Sequence, residues 1–450
     1  MKNKVIASLV IPICVIFSNI RNQRGVGEGG QISKNLTNKS DWWGSLLPLI
    51  SFSHSKAIFL LITTVSVLFY WIGISLILSK HKMESLKLFL FLILSTFGAI
   101  FAAQNIRDAL LFSLAILTIG CFERISILHS TKTYLIPVFI LILLTTFKYV
   151  TAIPICLMLI YKYLSKNFKK PTSQIFFTLI FTFFIGVSGI ILDKSIAKVF
   201  SLEKSFPEQQ VMYQDLASFY CWSQDKYTRN LAMEGLKYGL NSFSEPQNIC
   251  LMHRPNAWVY LVGPGKFGNQ EFIPPLKQLT SIDAKSFRGL RSGWLKTIIS
   301  DPVDYIQFKL IFATQILTVG NPFHFPTNPD EMLIGQNHNQ IFEISNFIWF
   351  PLEKLSELIG YSYFFSTFFL LMVIIVGLCT KNNIWRKSFL LKLLAINIFN
   401  ITILSIAYVS DEARYIFPFV FINYLLLLVT AKLNLGRLKK FKNAPYSHTN

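Results

Sequence analysis

Eight charged side chains of this 450-residue chain lie beside long apolar runs, where a charge is costly unless it has a partner or a function. Carboxylates in such places can act as general bases, and Arg and Lys can stabilise the negative charge of a leaving phosphate. Arg414 suits the second role, because a guanidinium binds phosphate oxygens in pairs and keeps its charge in a partly dry site. Together these residue types fit transfer of a group from a lipid-linked phosphate. The set is Glu28, Asp41, Arg107, Asp108, Lys148, Asp411, Glu412 and Arg414.

The composition is typical of a membrane protein with many spans. Hydrophobic residues make up 52% of the chain, charged residues only 15%, and there are 42 Phe. Apolar runs of about 20 residues, the length that crosses the hydrocarbon layer as a helix, recur through residues 1–192 and again after residue 361. The alternation expected of barrel strands is absent, so the predicted fold class is an all-α polytopic membrane protein with about ten spans. The predicted spans are residues 4–20, 56–79, 88–103, 109–122, 133–147, 149–161, 174–192, 361–379, 389–408 and 415–431.

The net charge of +20 is unevenly distributed, and its distribution indicates orientation. Residues 193–360 hold 15 Lys and Arg against 16 Asp and Glu, so the excess lies in short loops and at the ends of the chain. This positive-inside pattern predicts that both termini are cytoplasmic, in an inner or plasma membrane. A nucleic-acid binder would instead carry a basic face on a folded domain. The basic loop residues are Lys162, Lys166, Lys169, Lys170, Lys381, Arg386, Lys387, Lys432, Arg437, Lys439, Lys440 and Lys442.

This orientation divides the chain into three regions. Residues 1–192 form an N-terminal transmembrane bundle of about seven spans, whose first polar loop, 21–55, lies outside. Its N-terminal apolar run is predicted to be a retained signal anchor. Residues 193–360 form an extracytoplasmic, mainly helical domain inserted between spans 7 and 8. Residues 361–450 hold about three further spans and a basic cytoplasmic tail.

Two local patterns bear on the candidate site. The adjoining predicted spans 133–147 and 149–161 form a helical hairpin, which places Lys148 at its outer tip. In the outer domain, the spacing near 293–319 predicts an amphipathic helix that lies on the membrane surface. The alternative is that residues 305–319 cross the membrane.

The six cysteines fall into two groups. Cys221 and Cys250 lie in the region predicted to be extracytoplasmic, where a disulfide persists, and the alternative is two free buried thiols. The remaining four lie in apolar runs and are predicted to be small buried hydrophobic residues. They are Cys14, Cys121, Cys156 and Cys379.

Three motifs carry a resemblance to a known family. They are "NKSDWWGSLLPLI", "GWLKTIISDPVDYIQFKL" and "ARYIFPF". With the span layout, they resemble the GT-C class of polytopic glycosyltransferases, which includes the protein mannosyltransferases and the bacterial aminoarabinose transferases. The resemblance implies transfer of a sugar from a polyprenyl phosphate to an extracytoplasmic glycan, lipid or protein acceptor.

The resemblance also implies roles for individual residues. In that class a catalytic carboxylate follows span 1, and the matching residue is Asp41, with Glu28 as the less well placed candidate. The Arg of "ARYIFPF" implies that Arg414 contacts the donor phosphate. Lys148 and Arg107 join it on the same predicted side. The supporting residues are Asp108, Asp411 and Glu412.

Each assignment has a structural alternative. Asp41 fits the cap of an interfacial helix whose tryptophans anchor at the headgroups. Arg414 fits an ion pair with Asp411, which lies one helical turn earlier, at the i, i+3 spacing. Lys148 fits a side chain that extends to the headgroups, and Asp108 fits the solvated tip of a hairpin.

The outer domain offers a further candidate. Asp215, Asp225 and Arg229 fit the binding of a sugar acceptor, with Tyr220 and Trp222 as stacking faces. The alternative is that these residues belong to the core of a folded domain. The seven histidines show no ligand spacing, so a His-built metal site is not expected. No tightly bound cofactor is expected, and a divalent cation is compatible with the sequence but not indicated by it.

Two other functions remain open on the sequence. An O-antigen-type polysaccharide polymerase or ligase also uses polyprenyl-linked sugars, but from a diphosphate donor. A transporter or flippase performs no chemistry, and it is expected to show repeats or broken helices with charges near the midplane.

Overall fold

The structure is a computed structural model, and it describes most of residues 56–317 and part of the C-terminal region. The described ranges are 56–81, 85–102, 107–128, 134–164, 168, 170–199, 208–240, 247–253, 265–267, 270–272, 275–276, 283–317, 398, 401–402, 405–406 and 417–430.

The described part of the chain is mainly helical. The first helices are α1 (Lys56–Lys80), α2 (Ser85–Ala102), α3 (Arg107–Leu128), α4 (Leu135–Tyr163) and α5 (Pro171–Val199). They are followed by α6 (Gln209–Trp222), α7 (Lys226–Leu236), α8 (Gln247–Met252), α9 (Ala284–Ser300), α10 (Pro302–Leu317) and α11 (Phe417–Thr430). One short antiparallel pair, β1 (Gly265–Phe267) and β2 (Gln270–Phe272), places Lys266 opposite Glu271.

The helical segment α4 turns back on itself. It contains 29 residues, and a straight helix of 29 residues would be about 43 Å long. Yet the ring centroid of Phe122 lies 6.4 Å from that of Tyr134 and 4.9 Å from that of Tyr163, at the two ends of the segment. The segment therefore consists of two arms whose outer ends meet beside Phe122, which agrees with the predicted hairpin.

An aromatic core holds α1–α5 and α11 together, and we call this assembly the bundle. Phe112 of α3 packs edge-on against Phe421 of α11, with ring centroids 4.9 Å apart. The Tyr70 hydroxyl donates to the Ser95 carbonyl oxygen at 2.7 Å, which satisfies a buried polar group between α1 and α2. The last described helix is thus fixed against the first three.

Helices α1 and α3 cross at two glycines. A Cβ atom on Gly73 would lie 2.6 Å from the Ile116 carbonyl oxygen, and one on Gly120 would lie 2.5 Å from that of Gly73. Small residues that allow such a close backbone approach are common where membrane helices pack.

The surface of α5 is strongly apolar. Its segment Thr172–Val199 is long and apolar enough to cross a membrane, and among the described residues it is the one segment that meets both criteria. Phe176, Phe183 and Phe184 are 68%, 67% and 60% exposed. Exposing this apolar surface to water would cost free energy.

A second core joins α6–α10, and we call this part the insert. Its buried centre includes Tyr213, Leu216 and Phe219. Helix α10 links the two cores, because Phe308 packs edge-on against Phe219 and Phe312, about one turn later, belongs to the core of the bundle.

The prediction of one amphipathic helix near 293–319 was wrong in one respect. The segment is broken into α9, which ends at Ser300, and α10, which begins at Pro302. Proline lacks a backbone donor and disfavours helical geometry in the preceding residue, here Asp301, yet it is well suited to open a helix. The Asp301 carboxylate accepts from the Asp304 backbone N–H at 3.0 Å, which caps α10.

Candidate functional site

The start of α3 and the turn of α4 lie at the same end of the bundle. Helix α3 begins at Arg107 and rises about 22 Å before it reaches Phe122. Both outer ends of α4 meet at Phe122, so the turn between its arms, near Lys148, lies at the opposite end. The structure therefore brings the backbone of Arg107 and the turn of α4 to one end, which we call the site end.

Asp108 is buried at the site end. It lies in the first turn of α3 and its side chain is 0% exposed, so it is not the solvated hairpin tip of the structural alternative. A carboxylate there interacts favourably with the helix dipole. Ala102 and Ser113 lie close to Asp108 in the chain, and both bind Ser66: its hydroxyl donates to the Ala102 carbonyl oxygen at 2.7 Å and pairs with Ser113 Oγ at 2.9 Å. This part of the bundle thus contains several buried polar groups.

Helix α11 also begins at the site end. Its first residue is Phe417, and Phe421 contacts Phe112, about one turn beyond Asp108 in α3. The chain that precedes Phe417 carries Arg414. Arg414, Asp411, Glu412, Asp41 and Glu28 themselves lie outside the described residues.

A buried carboxylate organises the other end of the bundle. The Glu123 side chain is 5% exposed, and its Oε2 lies 2.7 Å from Lys80 Nζ and 3.0 Å from His81 Nε2. Its Oε1 accepts from the Tyr163 hydroxyl at 2.7 Å, and Lys162 Nζ lies 3.8 Å away. One acid thereby ties the ends of α1, α3 and α4 together. Glu123 was not among the predicted site residues, although a lone Glu at the end of an apolar run is itself a signal.

In the insert, a second carboxylate is buried with its counter-charge. Asp215 Oδ1 lies 2.6 Å from Lys309 Nζ, and Oδ2 accepts from the Trp294 indole N–H at 3.0 Å. Burial raises the pKa of the Asp215 carboxyl, whereas Lys309 and Trp294 oppose this by stabilising the carboxylate. A pair so placed contributes to stability only while both partners are present.

The motif "GWLKTIISDPVDYIQFKL" has a structural explanation. A Cβ atom on Gly293 would lie 2.5 Å from Gly235 Cα, so this glycine allows α9 to pack closely on α7. Tyr305 stacks on Phe219, with centroids 6.3 Å apart and planes 8° apart. With Trp294 and Lys309 bound to Asp215, the Gly, Trp, Tyr and basic positions of the motif all fasten α9 and α10 to α6 and α7.

Two of the proposed acceptor-binding residues of the insert, Asp225 and Trp222, make structural contacts. Asp225 caps α7 by accepting from the Thr228 hydroxyl at 2.7 Å and backbone N–H at 2.8 Å, and these bonds lower its pKa. The Trp222 ring packs on His253 and Phe308, with centroids 4.6 Å and 5.8 Å apart. Asp215 therefore lies in the core, whereas Trp222, Asp225 and Arg229 are exposed, and acceptor binding at this surface stays a prediction.

Cys221 and Cys250 are joined in a disulfide, with their Cα atoms 5.4 Å apart. The bond links the last turn of α6 to α8. Of the two sequence alternatives, the structure has the bond and not the pair of free thiols.

Within the described residues, no group of three or more His, Cys, Asp or Glu side chains could hold a metal ion. Comparisons of the chain with protein-family models, with curated proteins and with solved structures gave no match.

Proposed function

We propose that this protein is an integral-membrane glycosyltransferase of the GT-C type, with about ten spans in an inner or plasma membrane. It moves a sugar from a polyprenyl-phosphate donor to an extracytoplasmic glycan, lipid or protein acceptor. One observation supports the proposal most strongly. The start of α3 at Arg107, the turn of α4 near Lys148 and the start of α11, which follows Arg414 in the chain, lie at one end of an apolar bundle. The proposal is that the three cations, which belong to separate elements of the chain, act together in that region.

The proposed reaction is a displacement at the anomeric carbon. Asp41 takes a proton from the acceptor hydroxyl, and the acceptor oxygen attacks the anomeric carbon with inversion. The bond from that carbon to the phosphate oxygen breaks, and the polyprenyl phosphate leaves with the bonding electrons. Arg414, Lys148 and Arg107 stabilise its charge, and Asp108, Asp411 and Glu412 orient these cations.

Two other features support the location that this reaction requires. The exposed apolar surface of Thr172–Val199 fits contact with lipid tails. The Cys221–Cys250 disulfide fits an oxidising, extracytoplasmic location for the insert, where acceptors are found.

Donor turnover in membranes tests the proposal. Membranes containing the wild type, Asp41→Asn, Glu28→Gln or Arg414→Ala are incubated with radiolabelled polyprenyl-phosphate sugar. We expect turnover to fall by about 100-fold or more in Asp41→Asn and in Arg414→Ala, the size of effect typical of a lost transition-state contact. Arg437→Ala, from the predicted cytoplasmic tail, is the matched control and keeps wild-type turnover.

Unchanged turnover in both Asp41→Asn and Arg414→Ala, at normal expression, would remove the site assignment. Loss in Glu28→Gln but not in Asp41→Asn would move the base to Glu28. Transbilayer movement of the labelled lipid with its sugar still attached would instead identify a flippase.

A further inference from the structure

Lys309 contacts two distant parts of the chain. From α10 its ammonium group reaches Asp215 of α6 at 2.6 Å, and it also donates to the Ile406 carbonyl oxygen at 3.3 Å. The last contact spans 97 residues of sequence. A single side chain therefore joins the insert to the C-terminal part of the chain.

Ile406 lies on the helical segment that precedes Arg414. Residues 398, 401–402 and 405–406 are helical, and the Ser405 hydroxyl donates to the Ile401 carbonyl oxygen at 2.7 Å, as on a helix turn. The predicted span that contains them ends near residue 408. Binding of a cation to carbonyl groups near the C-terminal end of a helix is favourable, because the last carbonyl oxygens of a helix lack intrahelical donors and lie at the negative end of the helix dipole.

Contacts within the insert hold the Lys309 ammonium group in place independently of Ile406. Lys309 is 12% exposed along its side chain, and Asp215, which it binds, is 5% exposed and is also held by Trp294. The Tyr305 ring centroid lies 5.4 Å from Lys309 Nζ and adds a cation–π contact. A lysine held by an ion pair and by an aromatic ring has little rotamer freedom left to lose when it binds a further group.

We infer that Lys309 is a positioning residue, which fastens the helix containing Ile406 to the insert and so limits where the chain toward Arg414 can lie. The inference rests on the proposed function for its consequence, since it makes the insert determine how the donor phosphate is bound. The test below is independent of that function, because it measures the accessibility of the chain to a chemical label.

The first test measures accessibility near the end of this helix. Ser410→Cys is introduced, and its reaction with a membrane-impermeant maleimide is followed in intact cells, with the parent chain as background. The informative variant is Asp215→Asn combined with Lys309→Met. It keeps an acceptor for the Trp294 N–H and leaves no buried unpaired charge, but it removes the ammonium group from Ile406.

We expect the labelling rate in this double variant to rise by about tenfold, the equivalent of one charge-assisted hydrogen bond. Asp215→Asn alone keeps Lys309 and should label at a rate nearer the wild type. Lys296→Met removes an exposed lysine from α9 and is the matched control, with no change expected. An unchanged rate in the double variant, with the Cys221–Cys250 bond still formed, would overturn the inference.

Donor kinetics then separate positioning from a general structural effect. If Lys309 positions Arg414, the double variant should raise the KM for the polyprenyl-phosphate donor, whereas partial unfolding would only reduce the amount of active protein. If the double variant is labelled faster but the wild type shows no donor turnover, the positioning inference stands and the proposed function is rejected. A donor KM equal to that of the wild type would reject the link between Lys309 and the donor site.

Discussion

Cys156 lies against Leu141, 15 residues earlier in the same helical segment, with its Sγ 3.8 Å from the Leu141 carbonyl oxygen. In a straight helix two such residues would be about 22 Å apart. The contact fixes the two arms of α4 side by side, so the turn between them comes near Lys148.

The first prediction concerns the side of the membrane on which this turn lies. We expect Lys148→Cys to react from outside with a membrane-impermeant maleimide, because the turn lies at the site end of the bundle. Arg124→Cys is the control, since Arg124 is exposed at the opposite end, beside Glu123. Labelling of Arg124→Cys from outside, without labelling of Lys148→Cys, would reverse the proposed orientation.

The second prediction concerns the buried acid at the opposite end. Glu123→Gln removes the charge that Lys80 and Lys162 share, and leaves these cations facing each other. We expect a loss of about 3 kcal/mol of stability, the usual cost of breaking a buried pair, measured as a lower thermal midpoint in detergent. Glu234→Gln makes the same change at an exposed residue of α7 and should leave the midpoint unchanged. Equal midpoints for the two variants would show that the Glu123 network does not hold the helices together.

The third prediction tests the close crossing of α1 and α3. Gly73→Ala places a methyl group 2.6 Å from the Ile116 carbonyl oxygen, and neither backbone can yield easily. We expect a destabilisation of about 1–3 kcal/mol, as for other overpacked sites. Gly186→Ala in α5 is the control, because its nearest contact would be an ordinary 3.8 Å from Ile153 Cδ1. Tolerance of both alanines would contradict the observed packing.

The fourth prediction is a pH dependence in the insert. Burial raises the pKa of Asp215 above its ordinary value, so the folded state holds this proton more tightly than the unfolded state does. The resulting stabilisation is fully present below the unfolded pKa, near 3.9, and is lost as pH rises through the folded value. The thermal midpoint of the wild type, relative to that of Asp215→Asn, should therefore fall as pH rises from about 3.9. A relative midpoint that increases with pH would mean that Lys309 outweighs burial and lowers this pKa.

Much of the helical layout could be predicted from the sequence. Long apolar runs predicted helices where α1, α2, α3, α5 and α11 lie, because burying or embedding an apolar helix depends mainly on its own residues. A lone lysine between two short apolar runs likewise predicted the turn of α4. The break before Pro302 was missed because apolar periodicity continues across it, although Asp-Pro is itself a signal for a new helix.

The pairing of charges could not be predicted in the same way. Asp215 contacts Trp294, which follows it by 79 residues, and Glu123 contacts Tyr163, which follows it by 40. Contacts between residues so far apart in the sequence depend on how the helices pack. From the sequence, Asp215 was therefore predicted to bind an acceptor or to lie in the core, and Lys309 was not predicted as its partner. Glu123 was not predicted either, because its partners lie on two other stretches of the chain, at 80–81 and 162–163.

The most direct measurement is single-turnover chemistry with the purified wild-type protein. The protein is reconstituted in vesicles with a labelled polyprenyl-phosphate sugar and an extract of acceptors, and release of polyprenyl phosphate is followed together with the labelled product. We expect the two to appear in equal amounts, with the anomeric configuration of the sugar inverted. A folded protein that releases no polyprenyl phosphate from any such donor, or that consumes only diphosphate-linked glycans, would contradict it.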